Sequence, residues 1–346
     1  SDGAVNYNAI NFGQYDNGWV NDSYIRCYEG VRQASIMINN VDINEELTKE
    51  EILDKKAQAR FLRAYFYWLL LRRYGPVPLI PDETISIDET YIGMSCPRAT
   101  YDEVVDYIDK EMILAANDLP DRRDRQNIAR ATKGAALAVR AKVLLYSASP
   151  LNNPLPNDPD KFTDFVDDQG RILMSQTYDE SKWARAAAAA KDVIDLGRYE
   201  LHIADYQDKG DNTYPATVKP PYNAKYSTKN FPDGWANIDP FESYRSIFNG
   251  DLYANENEEL IFTRGNNSLA DQVNYLVRNQ MPTFAGGENR HGLTAKQCDA
   301  YDMANGDAFN LQHFLDTCDA SKRFVTEDEY KAGKYPQLRP NVWKEY

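Results

Sequence analysis

The chain has 346 residues, enough for two ordinary domains, and its 42% hydrophobic and 27% charged residues exclude a disordered chain. Lys plus Arg total 39 against 53 Asp plus Glu, a net charge of −14 that repels nucleic-acid phosphates and anionic lipid surfaces. Four Cys and three His without CxxC, HxxxH or HExxH spacing give zinc no anchor, which leaves 24 Tyr and 5 Trp as the unusual feature.

The first two hundred residues carry helical periodicity. Across 19–40, Trp19, Tyr24, Tyr28, Val31, Ala34 and Ile38 fall at helical spacing, with Val41 just beyond. Thr48 followed by Glu51 is a capping-box signature for a second helix, which ends at Gly75-Pro76. Beyond Ile52 this helix is apolar nearly all round, so neighbours must cover several of its sides. Phe61, Tyr65, Trp68 and Leu69 read as its core stripe. The apolar run 61–71 is too short to span a bilayer and contains Arg63.

Three further helices are predicted at 101–119, 132–149 and 181–196. Gly134, Ala135, Ala136, Ala138 and Ala141, then Ala184 and the alanines of 186–190, let another backbone approach closely, as in stacked antiparallel pairs. Insertions such as 150–176 break any strict repeat. The expected fold is therefore mostly α: a superhelix of degenerate tetratricopeptide-like helix pairs over 1–200.

Past residue 201 the texture changes. Residues 201–290 hold seven Tyr, five Phe and one Trp with twelve Asn and six Pro, so long helices are broken while the segment stays folded. Residues 257–262 read as a short strand after a turn, and 271–279 as a helix. A loop-rich, ligand-binding region over 201–346 is expected, because binding concentrates on ordered loops held by a scaffold.

Several segments together resemble one family. Ala59-Arg60-Phe61-Leu62-Arg63-Ala64-Tyr65-Phe66-Tyr67, closing with Arg73-Tyr74-Gly75-Pro76-Val77-Pro78-Leu79, is similar to the SusD/RagB family of outer-membrane nutrient-binding, starch-binding-like lipoproteins of Bacteroidetes-type bacteria. Trp19 with Tyr28-Glu29-Gly30-Val31-Arg32-Gln33-Ala34 resembles the family's first helix. Arg140-Ala141-Lys142-Val143-Leu144-Leu145-Tyr146, Trp183 with Ala187 and Tyr199, Glu259-Leu260-Ile261-Phe262, and Asp299-Ala300-Tyr301-Asp302-Met303 with Gly306 come after it in order. The resemblance implies a non-catalytic protein at the cell surface of the outer membrane, capturing oligosaccharide for a SusC-like TonB-dependent transporter. In RagB-like branches the captured ligand is peptide. Family members carry a lipid-modified N-terminal Cys that this chain lacks before Trp19, and they continue past the Asp-Ala-Tyr-Asp-Met segment, so truncation at both ends is expected. Leu293-Thr294-Ala295 replaces a triplet that is more often Pro-Thr-Gln-like.

Glycan capture needs flat apolar faces to stack on sugar rings and polar groups to bond hydroxyls, at little entropic cost. Trp235, Tyr222, Asn223, Tyr226 and Phe231 are the candidates in the loop region, and internal packing is the alternative for Trp235. The resemblance adds Tyr15, in the stretch before the first helix. Arg245, Arg290 and Asn289 offer bidentate bonds to paired hydroxyls, with surface ion pairing as their alternative. The Gly286-Gly287 loop admits either a ligand or a plain turn.

Asp205, Asp208, Asp211 and Asn212 present oxygen ligands for Ca²⁺ but match no EF-hand spacing, so a solvated acidic turn and no cofactor are expected. Cys298 and Cys318 pair only in an oxidising compartment; buried free thiols are the expectation. GxSxG, Walker A and GxGxxG patterns are absent, so no enzyme is expected. A glycoside hydrolase, which would share the aromatic surface, is the catalytic alternative. A tetratricopeptide-type adaptor is the third, with its ligand residues within 1–200.

Overall fold

The computed structural model describes residues 23–81, 96–157, 162–210, 215–248, 251–263, 278–288, 297, 300–301 and 325–334. The chain divides into two compact units, Ser1–Ala204 with Pro240–Gly265, and Asp205–Asp239 with Asn266–Tyr346. The first unit contains α1 (Ser23–Asn40), α2 (Lys49–Tyr74), α3 (Tyr101–Asp118), α4 (Lys133–Ala148), α5 (Ser181–Asp195) and the short α6 (Pro240–Arg245). Each of α1 to α4 packs against its successor, so helices adjacent in sequence are neighbours in space. Among the described residues there is no strand, and backbone pairing outside helices and turns reduces to isolated bridges. The fold is mostly α.

The local signals act as their chemistry requires. The Thr48 hydroxyl accepts the Glu51 N–H at 3.2 Å while the Glu51 carboxylate accepts the Thr48 N–H at 2.9 Å, satisfying two donors that a helix start leaves orphaned. Thr100 and Glu103 repeat the arrangement on α3. Helix α2 stops at Gly75, whose φ of 67° lies in the left-handed half of the map, with its N–H returned to the Leu71 carbonyl at 2.9 Å. The Tyr67 hydroxyl then accepts the Ile80 N–H at 2.9 Å, and the Tyr28 hydroxyl donates to the Pro78 carbonyl at 2.7 Å, which ties the outgoing chain back to α1 and α2. Thr48→Ala is expected to lower stability by about 0.5–2 kcal/mol, seen as a lower urea midpoint at unchanged m.

Helix α2 lies between α1 and α3, which accounts for its nearly all-round apolar sequence. Phe61, Ala64, Tyr67, Trp68, Leu70 and Leu71 are buried, while Tyr65 and Leu69 are half-buried. Phe262 meets Phe61 edge-on at 5.3 Å between ring centroids, so the segment 257–263 covers a further part of the helix. One charged group sits inside this core. Arg63 places Nη2 2.8 Å from the Glu111 carboxylate and Nη1 3.2 Å from the Ser35 hydroxyl, linking α2 to α3 and α1.

Small residues let α4 and α5 close up. Gly134, Ala135 and Ala136 are buried, and a Cβ at Gly134 would stand 2.0 Å from the Tyr199 hydroxyl oxygen. On α5 only Lys182, Ala186 and Ala189 are buried, a single face at helical spacing. The other alanines of 186–190 face outward.

The stretch 257–262 is not a strand. Asn257 folds it into a turn by accepting the Glu259 N–H on its side chain (3.1 Å) and the Leu260 N–H on its carbonyl (3.1 Å). Beyond that turn Phe262 packs edge-on against Phe61 of α2. Of 271–279 only the last two residues are described, and they are helical; Trp19 and the Asp299 and Met303 ends of the last family segment lie outside the described residues. Cys27 is a buried free thiol, pushed up in pKa by burial, and Cys96 is free and half-buried. Cys298 and Cys318 lie outside the described residues.

Candidate carbohydrate-binding loop

The described residues 205–210 and 215–239 belong to one loop of the second unit. Its two ends meet at an antiparallel bridge between Asp205 and Ile238, beside a bond from the Tyr206 N–H to the Asn237 carbonyl at 3.2 Å. Gln207 and Thr217 close the next turn: the Gln207 N–H reaches the Thr217 hydroxyl at 2.8 Å and the Thr217 N–H the Gln207 carbonyl at 2.9 Å.

Within the loop Asn223 organises the chain. Its side-chain oxygen accepts the Lys225 N–H at 2.9 Å, its carbonyl accepts the Tyr226 and Ser227 N–H groups at 3.1 and 2.8 Å, and its own N–H meets the Ser227 hydroxyl at 2.7 Å. This is the local side-chain-to-backbone bonding that suits Asn to turns. The Tyr226 carbonyl in turn accepts the Trp235 N–H at 3.2 Å. That crossing requires Gly234, because a Cβ there would stand 2.1 Å from the Tyr226 carbonyl oxygen and 2.6 Å from that of Lys229. The Phe231 N–H donates to the Asn237 side chain at 2.8 Å, and the Phe231–Pro232 peptide is cis.

These bonds hold the predicted aromatic residues in one frame with unequal access to solvent. Tyr222 is 76% exposed and Tyr226 40%, while Phe231 and Trp235 are half-buried. Among the described residues no ring or cation is stacked on Tyr222. The Lys225 ammonium lies over the Tyr226 ring, 4.8 Å from its centroid, and Lys219 over Tyr206 at 5.3 Å. Hydrogen bonding to those tyrosines raises the pKa of both lysines. Lys225 therefore covers one face of Tyr226, two residues from Asn223 in the same turn. An exposed ring in a turn with an amide and an ammonium can stack on a sugar face and bond its hydroxyls.

Tyr222, Asn223, Tyr226, Phe231 and Trp235 thus share one loop. Arg245 belongs to the other unit, where it is ion-paired with Glu242 at 2.9 Å and Asp251 at 3.0 Å. Tyr15, Asn289 and Arg290 lie outside the described residues, as do Asp211 and Asn212 of the acidic stretch. Among the described residues no three His, Cys, Asp or Glu gather as a metal cage. Lys225 joins the site without a prior expectation. The place of Lys225 beside Tyr226 was a usable signal, whereas the bond from Phe231 to Asn237 has no local signature.

The SusD-like family described as "Starch-binding associating with outer membrane" matches residues 4–145, the stretch that holds α1, α2, α3 and most of α4. Over these helices the chain is similar to that family. SusD-like protein P25 of Formosa agariphila is 26% identical over 124 residues, 36% of this chain and 23% of that protein. A SusD-like protein of Bacteroides ovatus is 32% identical over 120 residues, 34% of this chain and 21% of the relative. The fold is also that of solved structures. BT4246 matches with a TM-score of 0.68 at 24% identity, over 98% of this chain and 55% of its own. The SusD-like protein BF3747 of Bacteroides fragilis matches with a TM-score of 0.55 at 22% identity, over 84% and 43%. The chain thus spans about half the length of these solved structures, and its matches cover under a quarter of the two curated relatives. No helix among the described residues is long and apolar enough to cross a membrane.

Proposed function

We propose that this chain captures carbohydrate without catalysis at the outer-membrane surface, held there by a lipid on an N-terminal Cys, and passes it to a SusC-like TonB-dependent transporter. The observation that carries the reading is the loop 222–237, where an open Tyr222 ring precedes Asn223 and Lys225 on a backbone fixed by hydrogen bonds. The SusD-like helices support it, since the family's description names starch binding and association with the outer membrane. A rigid aromatic on an anchored loop loses little conformational entropy on binding, so ring stacking contributes nearly its full value.

The test is migration of the chain through native gels containing soluble starch, xylan, pectin or alginate, with reducing ends assayed in parallel. Retardation by at least one polymer without release of reducing ends is expected. Release of sugar would replace this reading with a glycoside hydrolase. No retardation by any polymer would overturn it and move the search to peptides.

A further inference from the structure

The segment 240–263 of the first unit is folded with its polar groups inward and its rings outward. Glu242 and Ser246 are 3% and 1% exposed, whereas Phe241, Tyr244 and Phe248 are 59%, 65% and 73% exposed at i, i+3 and i+7. Burial ordinarily runs the other way, with rings inside and carboxylates in water. The inversion is secured by specific bonds. Glu242 takes the Arg245 guanidinium at 2.9 Å, which also reaches Asp251 at 3.0 Å; the Ser246 hydroxyl donates to the Glu242 carbonyl at 2.6 Å. The Ser243 hydroxyl accepts the Ala204 N–H at 2.9 Å, fastening α6 to the end of the helical segment. With that side tied down, the aromatic side points to solvent.

Two features indicate what such a surface takes. Every exposed large apolar side chain between 240 and 263 among the described residues is aromatic: Phe241, Tyr244, Phe248 and Tyr253. Rings with polar and charged groups at their edge suit stacking on flat rings, because they offer large amphipathic faces at little entropic cost. Tyr244 and Phe248 also pair at 5.2 Å between centroids with planes 60° apart, so they present two differently tilted faces. The same segment further lines a polar cavity of about 390 Å³, where Asn255, Glu256 and Glu258 join Arg198 and Tyr199 as donors and acceptors for hydroxyl groups.

We infer that Phe241, Tyr244 and Phe248 form a second carbohydrate-stacking platform, on the other unit from the loop 222–237. The inference rests on the carbohydrate reading above and adds a consequence: each chain offers a short oligomer two independent sites. The experiment compares the full chain with Tyr244→Ala/Phe248→Ala and with Tyr222→Ala in native gels of soluble starch, xylan, pectin and alginate. Short oligomers cut from the retained polymer are then titrated by calorimetry. The Tyr244→Ala/Phe248→Ala variant is expected to lower oligomer stoichiometry from two to one. Tyr244→Trp/Phe248→Trp, which keeps both rings, restores it. Both positions are exposed, so an unchanged circular-dichroism spectrum is expected and separates lost binding from lost folding.

Unchanged oligomer stoichiometry in the Tyr244→Ala/Phe248→Ala variant, with Tyr222→Ala weakened, would overturn the second platform, favour a protein partner for these rings, and leave the carbohydrate reading intact. Failure of the unsubstituted chain to bind any of the four polymers would overturn both.

Discussion

Glu111→Ala is expected to cost about 3–5 kcal/mol of folding stability, because it breaks a buried ion pair between α2 and α3. Arg63 is 1% exposed and its Nη2 lies 2.8 Å from the Glu111 carboxylate, whose other oxygen accepts Arg60 at 2.9 Å. The guanidinium also meets the Ser35 hydroxyl at 3.2 Å and, from its carbon, the Tyr107 ring at 5.8 Å. Arg60 is 30% exposed and can turn to water, so its share of the loss is below about 1 kcal/mol. The double variant Arg63→Met/Glu111→Leu separates charge from packing. Removing both ions at similar volume is expected to leave stability within about 1 kcal/mol of the original or to raise it. A single variant as stable as the unsubstituted chain in a urea titration would show that α2 and α3 are not joined through this pair.

Phe61→Ala is the second large effect, expected at about 3–5 kcal/mol because a ring that is 0% exposed is replaced by a cavity. Its ring stacks on Tyr65 at 5.8 Å and 12° and meets Phe262 edge-on at 5.3 Å, so the loss is also local to 257–263. Hydrogen exchange at those amides should quicken more than at α4, whose described rings make no contact with Phe61. Phe262→Ala, at a half-buried position, should cost less. Equal losses from the two variants, or an unchanged exchange rate across 257–263, would contradict this packing.

The sequence made legible whatever neighbouring residues decide between themselves. Thr48 with Glu51, and Gly75 before Pro76, mark the ends of α2 because the bonds involved span three or four residues. The all-round apolar character of α2 required neighbours without naming them. Phe262 is one, and its stretch looked like a strand because periodicity registers an apolar run and not the ring on which it packs. The Arg63–Glu111 pair joins residues 48 positions apart, beyond any local signal.

In the loop, the crowd of Tyr, Asn and Pro marked a folded, loop-rich region, yet which rings face solvent depends on Gly234 and Asn237 bonding across the loop. The aromatic spacing at 241, 244 and 248 was present in the sequence. Only the buried Glu242 shows that this stripe points outward.

The most direct test of carbohydrate capture is the retardation of Tyr222→Ala beside the unsubstituted chain in a gel of whichever polysaccharide the latter binds. Tyr222 is exposed and packs on no other ring among the described residues, so its loss removes a stacking face without disturbing the fold. An apparent Kd about tenfold weaker is expected, with an unchanged melting curve and no reducing ends released. Undiminished retardation of Tyr222→Ala would rule out a ligand site on this loop.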